Sequence, residues 1–182
     1  ENQVIRWIAD LVGLPESAGG CFVAGGTNGN LSSLVVAREE FRKKNPGTLK
    51  RLAILCSDQT HSSVKSTALV MDCEVIVVAT TDSYQLTPEL IENELREHSK
   101  TYESLDIFAV VATAGTTNLG VIDDINGISD YAKKNKIWLH VDGAYGGAGL
   151  LSDNVKDLFN GVENADSFIV DPHKWLFAPL DC

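Results

Sequence analysis

Lys174 is the residue of this sequence with the clearest potential for chemistry. It follows the apolar run Ser167 to Val170, and its neighbours Trp175, Leu176 and Phe177 are all apolar. Partial desolvation makes an amine available as a nucleophile for imine formation with a carbonyl compound. The alternative is an ordinary surface lysine after a strand, which the apolar flank disfavours because solvated turns rarely carry so much apolar surface.

Asp142 is the second candidate, because it ends the apolar run Trp138 to Val141 and precedes the small residues Gly143 and Ala144. A buried carboxylate needs a cationic or hydrogen-bonding partner. A protonated ring nitrogen would serve, since the pairing keeps the ring cationic. The small residues leave room for a flat ring. A capping or metal-binding aspartate remains the alternative.

Other candidate residues follow further apolar runs. Gly26, Thr27 and Asn28 lie in a glycine-rich turn before a predicted helix, where backbone N–H groups and the helix dipole favour a phosphate. His61 lies at a strand-to-helix junction, where its ring either stacks on a planar ligand or caps the helix. The hydroxyl of Thr116 either contacts a cofactor or closes a turn.

These residues are held by alternating apolar runs and amphipathic segments. Short apolar runs with little alternation are typical of strands buried on both faces. The predicted strands are 52–56, 74–79, 107–112, 138–141 and 167–170, and the predicted helices are 4–12, 31–44, 62–71, 90–98 and 125–134. This alternation predicts an α/β fold with three αβα layers around a mainly parallel sheet. In such sheets ligands bind beyond the carboxyl ends of the strands, where the candidates fall.

The composition restricts partners and compartment. The 182 residues carry 25 acidic against 15 basic side chains, a net charge of −10, so we expect neither nucleic-acid nor membrane binding. No apolar stretch reaches the roughly 18 residues that span a bilayer. The cysteines and histidines show no disulfide or zinc spacing, which predicts reduced thiols in a cytoplasmic protein and no metal. The cysteines are Cys21, Cys56, Cys73 and Cys182.

Considered together, the motifs resemble the group II pyridoxal-phosphate-dependent amino-acid decarboxylases, which include aromatic-L-amino-acid and glutamate decarboxylases. The resemblance is carried by His61-Ser62-Ser63-Val64, Ala114-Gly115-Thr116-Thr117, His140-Val141-Asp142 with Ala144-Tyr145, and Asp171-Pro172-His173-Lys174-Trp175. It implies the fold-type I, aspartate-aminotransferase-like large domain and a homodimer with sites near the subunit interface. It also implies pyridoxal 5'-phosphate as cofactor and decarboxylation of an L-amino acid, with an aromatic substrate as the first choice.

Alternatives to decarboxylation remain open at this point. They are other fold-type I activities, namely an aldehyde-forming oxidative deaminase, a carbon–carbon lyase or an aminotransferase, and a cofactor-binding fragment without activity. Because family members extend further in both directions, residues 1–182 are expected to form only part of the large domain. A preceding N-terminal segment, a mobile catalytic loop with a tyrosine and a small C-terminal domain would lie outside it.

The resemblance also implies a role for each matching residue. Lys174 falls on the Schiff-base lysine, Asp142 on the partner of the pyridine nitrogen and His61 on the stacking histidine, and these are the predicted catalytic residues. Ala144 falls against the ring and Thr116 near the ring hydroxyl. The residues that fall near the phosphate are Gly26, Thr27, Asn28, Asp171 and His173.

Two positions depart from the family pattern without removing a group that the chemistry requires. Gly143 stands where alanine is usual. The glycine-rich segment reads Thr-Asn-Gly-Asn at 27–30, where many bacterial members read Thr-Glu-Ala-Asn. Both changes alter the freedom of the backbone.

Overall fold

The apolar runs of the sequence form five parallel strands in a computed structural model that describes residues 1–180. The strands are β1 (Arg51–Ser57), β2 (Glu74–Val78), β3 (Leu105–Thr113), β4 (Trp138–Asp142) and β5 (Ser167–Ile169). Their order across the sheet is β2-β1-β3-β4-β5, and every neighbouring pair is parallel. The prediction of a mainly parallel sheet is therefore confirmed.

Helices connect the strands, and local sequence signals set several of their ends. The helices are α1 (Asn2–Val12), α2 (Gly26–Lys44), α3 (Ser62–Val70), α4 (Pro88–Glu97), α5 (Ser99–Tyr102) and α6 (Ile125–Asn135). Gly13 ends α1 in the left-handed conformation at φ 82°. Thr87 caps α4, since its hydroxyl accepts from the Leu90 N–H at 3.4 Å. No helix within residues 1–180 has the length and hydropathy of a transmembrane span.

The link from β4 to β5 consists of three short 3₁₀ helices that the sequence does not predict. They are Gly147–Leu151, Lys156–Phe159 and Val162–Asn164. Helices of this kind are too short to carry the 3.6-residue apolar period on which the prediction rests.

Two apolar layers, one on each side of the sheet, hold the helices in place. On one side α2 and α3 pack through Leu34 and Val64 against β1, where Ile54 is fully buried. On the other side α1, α4 and α6 pack against the sheet, with Ile91 and Ile128 fully buried. The predicted three-layer αβα architecture is thus confirmed.

Helix α2 begins earlier than the sequence predicts. It starts at Gly26, so the residues up to Asn30 form its first turn, and the prediction of a separate glycine-rich turn is wrong. Gly25 precedes it with φ 87°. A Cβ built on Gly29 would stand 3.1 Å from Cγ2 of Ile169. Close packing against the edge of the sheet therefore outweighs the weak helix propensity of glycine.

The strand order creates a crevice at the carboxyl edge of the sheet. The chain first adds β2 on one side of β1 and then continues with β3, β4 and β5 on the other side. The connections of β1 and β3 consequently leave in opposite directions, which opens the space where ligands bind in sheets of this type. His61 follows β1, and Asp142 ends β4, at this same edge.

Candidate active site

A cavity at the carboxyl edge of the sheet brings together most of the predicted site residues. Those that line it are Gly26, Thr27, His61, Asp142, Ala144, Asp171 and Lys174. Its other lining residues are Asn30, Thr113, Gly115, Thr117 and Tyr145. Asn28, Thr116 and His173, which were also predicted, lie outside this lining. Long-range folding therefore joins segments that are far apart in sequence into one site.

Asp142 places a buried carboxylate in the wall of the cavity. The residue is 4% exposed. Its Oδ1 accepts from the Ala144 N–H at 3.1 Å, and its Oδ2 accepts from the Asn30 amide at 2.9 Å. Both donors are neutral, and within residues 1–180 the carboxylate makes no salt bridge. A buried anion with neutral donors alone favours a cationic ligand.

His61 both caps a helix and lines the cavity. Its Nδ1 accepts from the Ser63 N–H at 3.2 Å and faces the Ser63 hydroxyl at 2.8 Å. The capping alternative considered from the sequence is therefore correct. The cap uses only Nδ1, so Nε2 and the faces of the ring remain available to a ligand. Stacking of this ring on a cofactor stays a prediction.

Lys174 lines the cavity, and a carboxylate holds its amine there. Its Nζ lies 2.8 Å from Oδ2 of Asp171, and the two side chains are 36% and 8% exposed. A Cβ built on Gly26 would come within 3.0 Å of the same Oδ2. The Asp171 carboxylate thus lies between the amine and the beginning of α2.

The N-terminus of α2 offers free N–H groups to an anion. Among the described residues, no acceptor pairs with the backbone N–H groups of Gly26 and Thr27, and no side chain caps the helix. Free N–H groups and the helix dipole together favour a phosphate at this position. Asn28 is exposed and donates to the Ala24 carbonyl at 3.2 Å, and His173 is half-buried outside the lining.

The loop after β3 decides which threonine faces the cavity. Thr116 is 1% exposed, and its hydroxyl accepts from the Val121 N–H at 3.1 Å, so it closes the loop. Thr117 is exposed and lines the cavity. Thr113 lines it as well, and its buried hydroxyl has no hydrogen-bond partner within residues 1–180. A polar ligand group would satisfy this hydroxyl.

Five lining residues lie outside the predicted set, and for Asn30, Thr113 and Tyr145 the sequence contained a signal. Asn30 follows Gly26 by four residues and therefore shares its helix face. Thr113 is the last residue of β3 and directly precedes the motif Ala114-Gly115-Thr116-Thr117. Tyr145 lies inside another motif, and its ring meets Trp175 edge-on with 5.6 Å between centroids. This contact joins the loops after β4 and β5.

Glycines allow the loops around the cavity to pack closely. Gly115 has φ 99°, and a Cβ on it would lie 2.8 Å from Cα of Gly146. A Cβ on Gly143 would lie 2.7 Å from Cε2 of Phe168. The departure from alanine at Gly143 therefore has a packing reason, because the space for a methyl group is filled.

The residues of the cavity fit pyridoxal phosphate. Free N–H groups at the start of α2 suit its phosphate, and the carboxylate of Asp142 suits a protonated ring nitrogen. The hydroxyl of Thr113 has no partner among residues 1–180, and a polar group of the cofactor would satisfy it. Lys174 carries a primary amine, the group with which an aldehyde can form an imine. This site on a parallel αβα sheet defines a pyridoxal-phosphate protein of fold-type I.

Comparison with known proteins narrows this class to one family. Residues 1–182 match the family described as "Pyridoxal-dependent decarboxylase conserved domain". The chain belongs to this family, as the motifs indicated. It is 34% identical to an aromatic-L-amino-acid decarboxylase of Bacillus atrophaeus and 37% identical to an L-2,4-diaminobutyrate decarboxylase of Rhizobium meliloti. In both comparisons all of this chain is covered, but only 37% and 36% of the relative.

Solved structures agree with this assignment. Mouse CSAD in its apo form superposes with a TM-score of 0.89 at 32% identity, over 99% of this chain and 39% of that one. An Oryza sativa TDC with PLP and tryptamine superposes with a TM-score of 0.84 at 26% identity, over 99% and 42%. The present chain therefore spans a minor part of the relatives' length.

Proposed function

We propose that the complete protein decarboxylates an L-amino acid to the amine and CO₂, with pyridoxal 5'-phosphate as its cofactor. The observation that carries the proposal is one cavity with a buried carboxylate, a primary amine and a free helix N-terminus, supplied by Asp142, Lys174 and α2. Relatives named as decarboxylases of aromatic amino acids and of diaminobutyrate support the reaction type. The chain contributes its part of the large domain to this activity.

In this proposal, residues of the chain hold the cofactor at three points. Lys174 would hold the cofactor through its Nζ, the N–H groups of Gly26 and Thr27 would bind the phosphate, and Asp142 would accept from the ring nitrogen. When bound, pyridoxal phosphate takes up the electron pair that the departing carboxylate leaves on the substrate. Asp142 would keep the ring nitrogen protonated, because a positive charge at that nitrogen would stabilise the buried carboxylate.

Other residues shape the remaining space. Ala144 presents only a methyl group and leaves room for the flat ring. His61 bounds the cavity from the side of β1, with Nε2 directed away from its capping contact. Thr117 and Thr113 contribute hydroxyls from the end of β3. Nζ of Lys174, once its ion pair with Asp171 is broken, would be the atom that carries a proton within the cavity.

An aromatic L-amino acid is the proposed substrate. The aromatic-L-amino-acid decarboxylase relative and the plant tyrosine decarboxylases that match this chain support it. Aldehyde formation is a second candidate, because relatives named 4-hydroxyphenylacetaldehyde synthase and phenylacetaldehyde synthase match at 32% and 31% identity. Product analysis of the complete protein separates the two: CO₂ with an amine supports decarboxylation, and an aldehyde with ammonia and peroxide supports the alternative.

The lysine assignment is tested by comparing two variants. Lys174→Ala should abolish the visible absorption of bound cofactor, the pyridoxyl adduct after borohydride reduction, and turnover. Lys156→Ala is the matched control, because Lys156 pairs with Asp153 at 2.7 Å in the same i,i+3 arrangement but outside the cavity. Cofactor absorption and turnover retained in Lys174→Ala would contradict the proposal.

A homodimer in the cytoplasm, with the site near the subunit interface, completes the proposal. Exposed apolar side chains such as Trp7, Trp175 and Phe177 support a further contact surface on the chain. Cys21, Cys56 and Cys73 are free, as expected in a reducing compartment, and Cys182 lies outside the described residues. Light scattering of the purified protein at several concentrations tests the dimer.

A further inference from the structure

In the wall of the cavity, Asn30 occupies the centre of a buried hydrogen-bonded chain. The residue is 1% exposed. Its Nδ2 donates to Asp142 Oδ2 at 2.9 Å and to the Ser63 hydroxyl at 2.8 Å. Its Oδ1 lies 2.8 Å from Nε2 of His140. All polar atoms of the amide therefore have a partner, and a fully satisfied buried network of this kind holds its members in one arrangement.

The carboxylate of Asp142 determines which way this amide points. An ionised carboxylate only accepts hydrogen bonds, so the atom of Asn30 that faces it must be the NH₂ group. The amide oxygen then faces His140 and requires a donor from it. The hydrogen that His140 supplies must be on Nε2.

The neighbours of His140 agree with this assignment. The ring is fully buried, and burial lowers the pKa of His140 to about 4, so it is neutral near pH 7. A neutral ring with hydrogen on Nε2 accepts at Nδ1, which lies 2.8 Å from the Ser167 hydroxyl. The Trp138 indole N–H donates to this same hydroxyl at 2.8 Å, which leaves the hydroxyl hydrogen free to point at His140.

The chain continues on the other side to His61. The Ser63 hydroxyl accepts from Asn30, so its own hydrogen is free to donate to Nδ1 of His61. The Ser63 backbone N–H can only donate, and it also faces Nδ1. Nδ1 of His61 is thus an acceptor twice over, and the neutral ring carries its hydrogen on Nε2.

We infer that Asn30 is a positioning residue that fixes the carboxylate of Asp142 and the imidazole of His61 together. Both hydrogens of its amide lie in one rigid plane, so the two groups it contacts are oriented relative to each other. His140 fixes the orientation of this plane by donating to the amide oxygen of Asn30. The inference rests on the proposed function, since it is through pyridoxal phosphate that the positioning acts.

The decisive variant is Asn30→Asp, which keeps the shape of the side chain but replaces the donor that faces Asp142 by an acceptor. Pyridoxal phosphate should bind about tenfold to a hundredfold more weakly, the range expected for losing one hydrogen bond to a charged group. The visible absorption band and the induced circular dichroism of the bound cofactor should both change. Thr67→Val is the control, because Thr67 is buried to the same extent as Ser63 and lies one turn after it in α3.

The branch to His61 is tested by Ser63→Ala, which leaves the contact between Asn30 and Asp142 in place. We expect a change in the induced circular dichroism and a smaller loss of cofactor affinity. Combined with Asn30→Asp, it should add less than its separate effect, because both variants interrupt one chain. Full additivity, or an Asn30→Asp protein that is less stable but has normal affinity and spectra, would overturn the inference.

A measurement without cofactor separates this inference from the proposed function. Nitrogen-15 NMR of the histidine rings should show hydrogen on Nε2 of both His140 and His61 in the wild-type protein. A hydrogen on Nδ1 of either ring would refute the chain even if pyridoxal phosphate binds. Failure of the wild-type protein to bind pyridoxal phosphate, with both rings in the expected form, would refute the proposed function and the positioning role but not the hydrogen-bonded chain.

Discussion

Replacement of His140 by glutamine should remove a pH-dependent part of the protein's stability. Glutamine retains a donor for Asn30 and an acceptor for Ser167, but it does not titrate. Burial lowers the pKa of His140 from 6.5 to about 4, although the charge of Asp142 acts in the opposite direction. The folded protein therefore keeps this ring neutral in a range where the unfolded chain takes up a proton.

Proton linkage gives the sign and size of the effect of His140 on the free energy of unfolding. Stability rises with pH wherever the unfolded state binds more protons, so this contribution is complete above pH 6.5 and is lost as pH falls towards 4. One pKa unit corresponds to about 1.4 kcal/mol, which gives about 3 kcal/mol in full and about 2 kcal/mol by pH 5. The wild-type free energy of unfolding should fall by that amount relative to His140→Gln.

The assay is urea denaturation of the wild-type protein and His140→Gln between pH 8 and pH 5. The quantity compared is the difference between their free energies of unfolding at each pH. The difference is required because burial raises the pKa of Asp123 to about 7. This carboxyl makes stability fall as pH rises from about 4 to 7, and it is present in both proteins. A difference that stays constant across the pH range would refute the account of His140 as a neutral buried donor. For the control Thr67→Val, the difference from the wild type in free energy of unfolding should not change with pH.

Three further outcomes are expected at the cavity. Gly143→Ala should destabilise the protein by about 1–3 kcal/mol in thermal or urea unfolding, since its methyl would overlap Phe168, and adding Phe168→Leu should recover part of the loss. Asp171→Asn should strengthen pyridoxal-phosphate binding several-fold in a low-salt titration. The reason is that the variant removes the partly exposed ion pair between Asp171 and Lys174, which is worth about 1 kcal/mol. Weaker binding would contradict this expectation. Thr113→Val should stabilise the cofactor-free protein by about 1 kcal/mol and weaken cofactor binding, as followed by unfolding with and without cofactor.

The sequence alone determined the strands, the parallel sheet and the strand-end positions of Lys174 and Asp142. Buried strands have a strong local signal, because both of their faces are apolar and the flanking turns are polar. A residue that directly follows such a strand must lie at the carboxyl edge of a parallel sheet, so the location of the cavity followed as well. The motif resemblance identified the family for the same region.

Only the tertiary structure decided which side chains of each motif face the cavity. Thr117 rather than Thr116 lines it, because the loop after β3 closes on the hydroxyl of Thr116. The start of α2 depends on packing against β5, which no local pattern reports. Asn30 is 112 residues from Asp142 in sequence, and its role depends on a 2.9 Å contact that arises when α2 packs on the sheet. Directional hydrogen bonds between distant segments require the relative placement of whole elements, and residue types along the chain do not encode that placement locally.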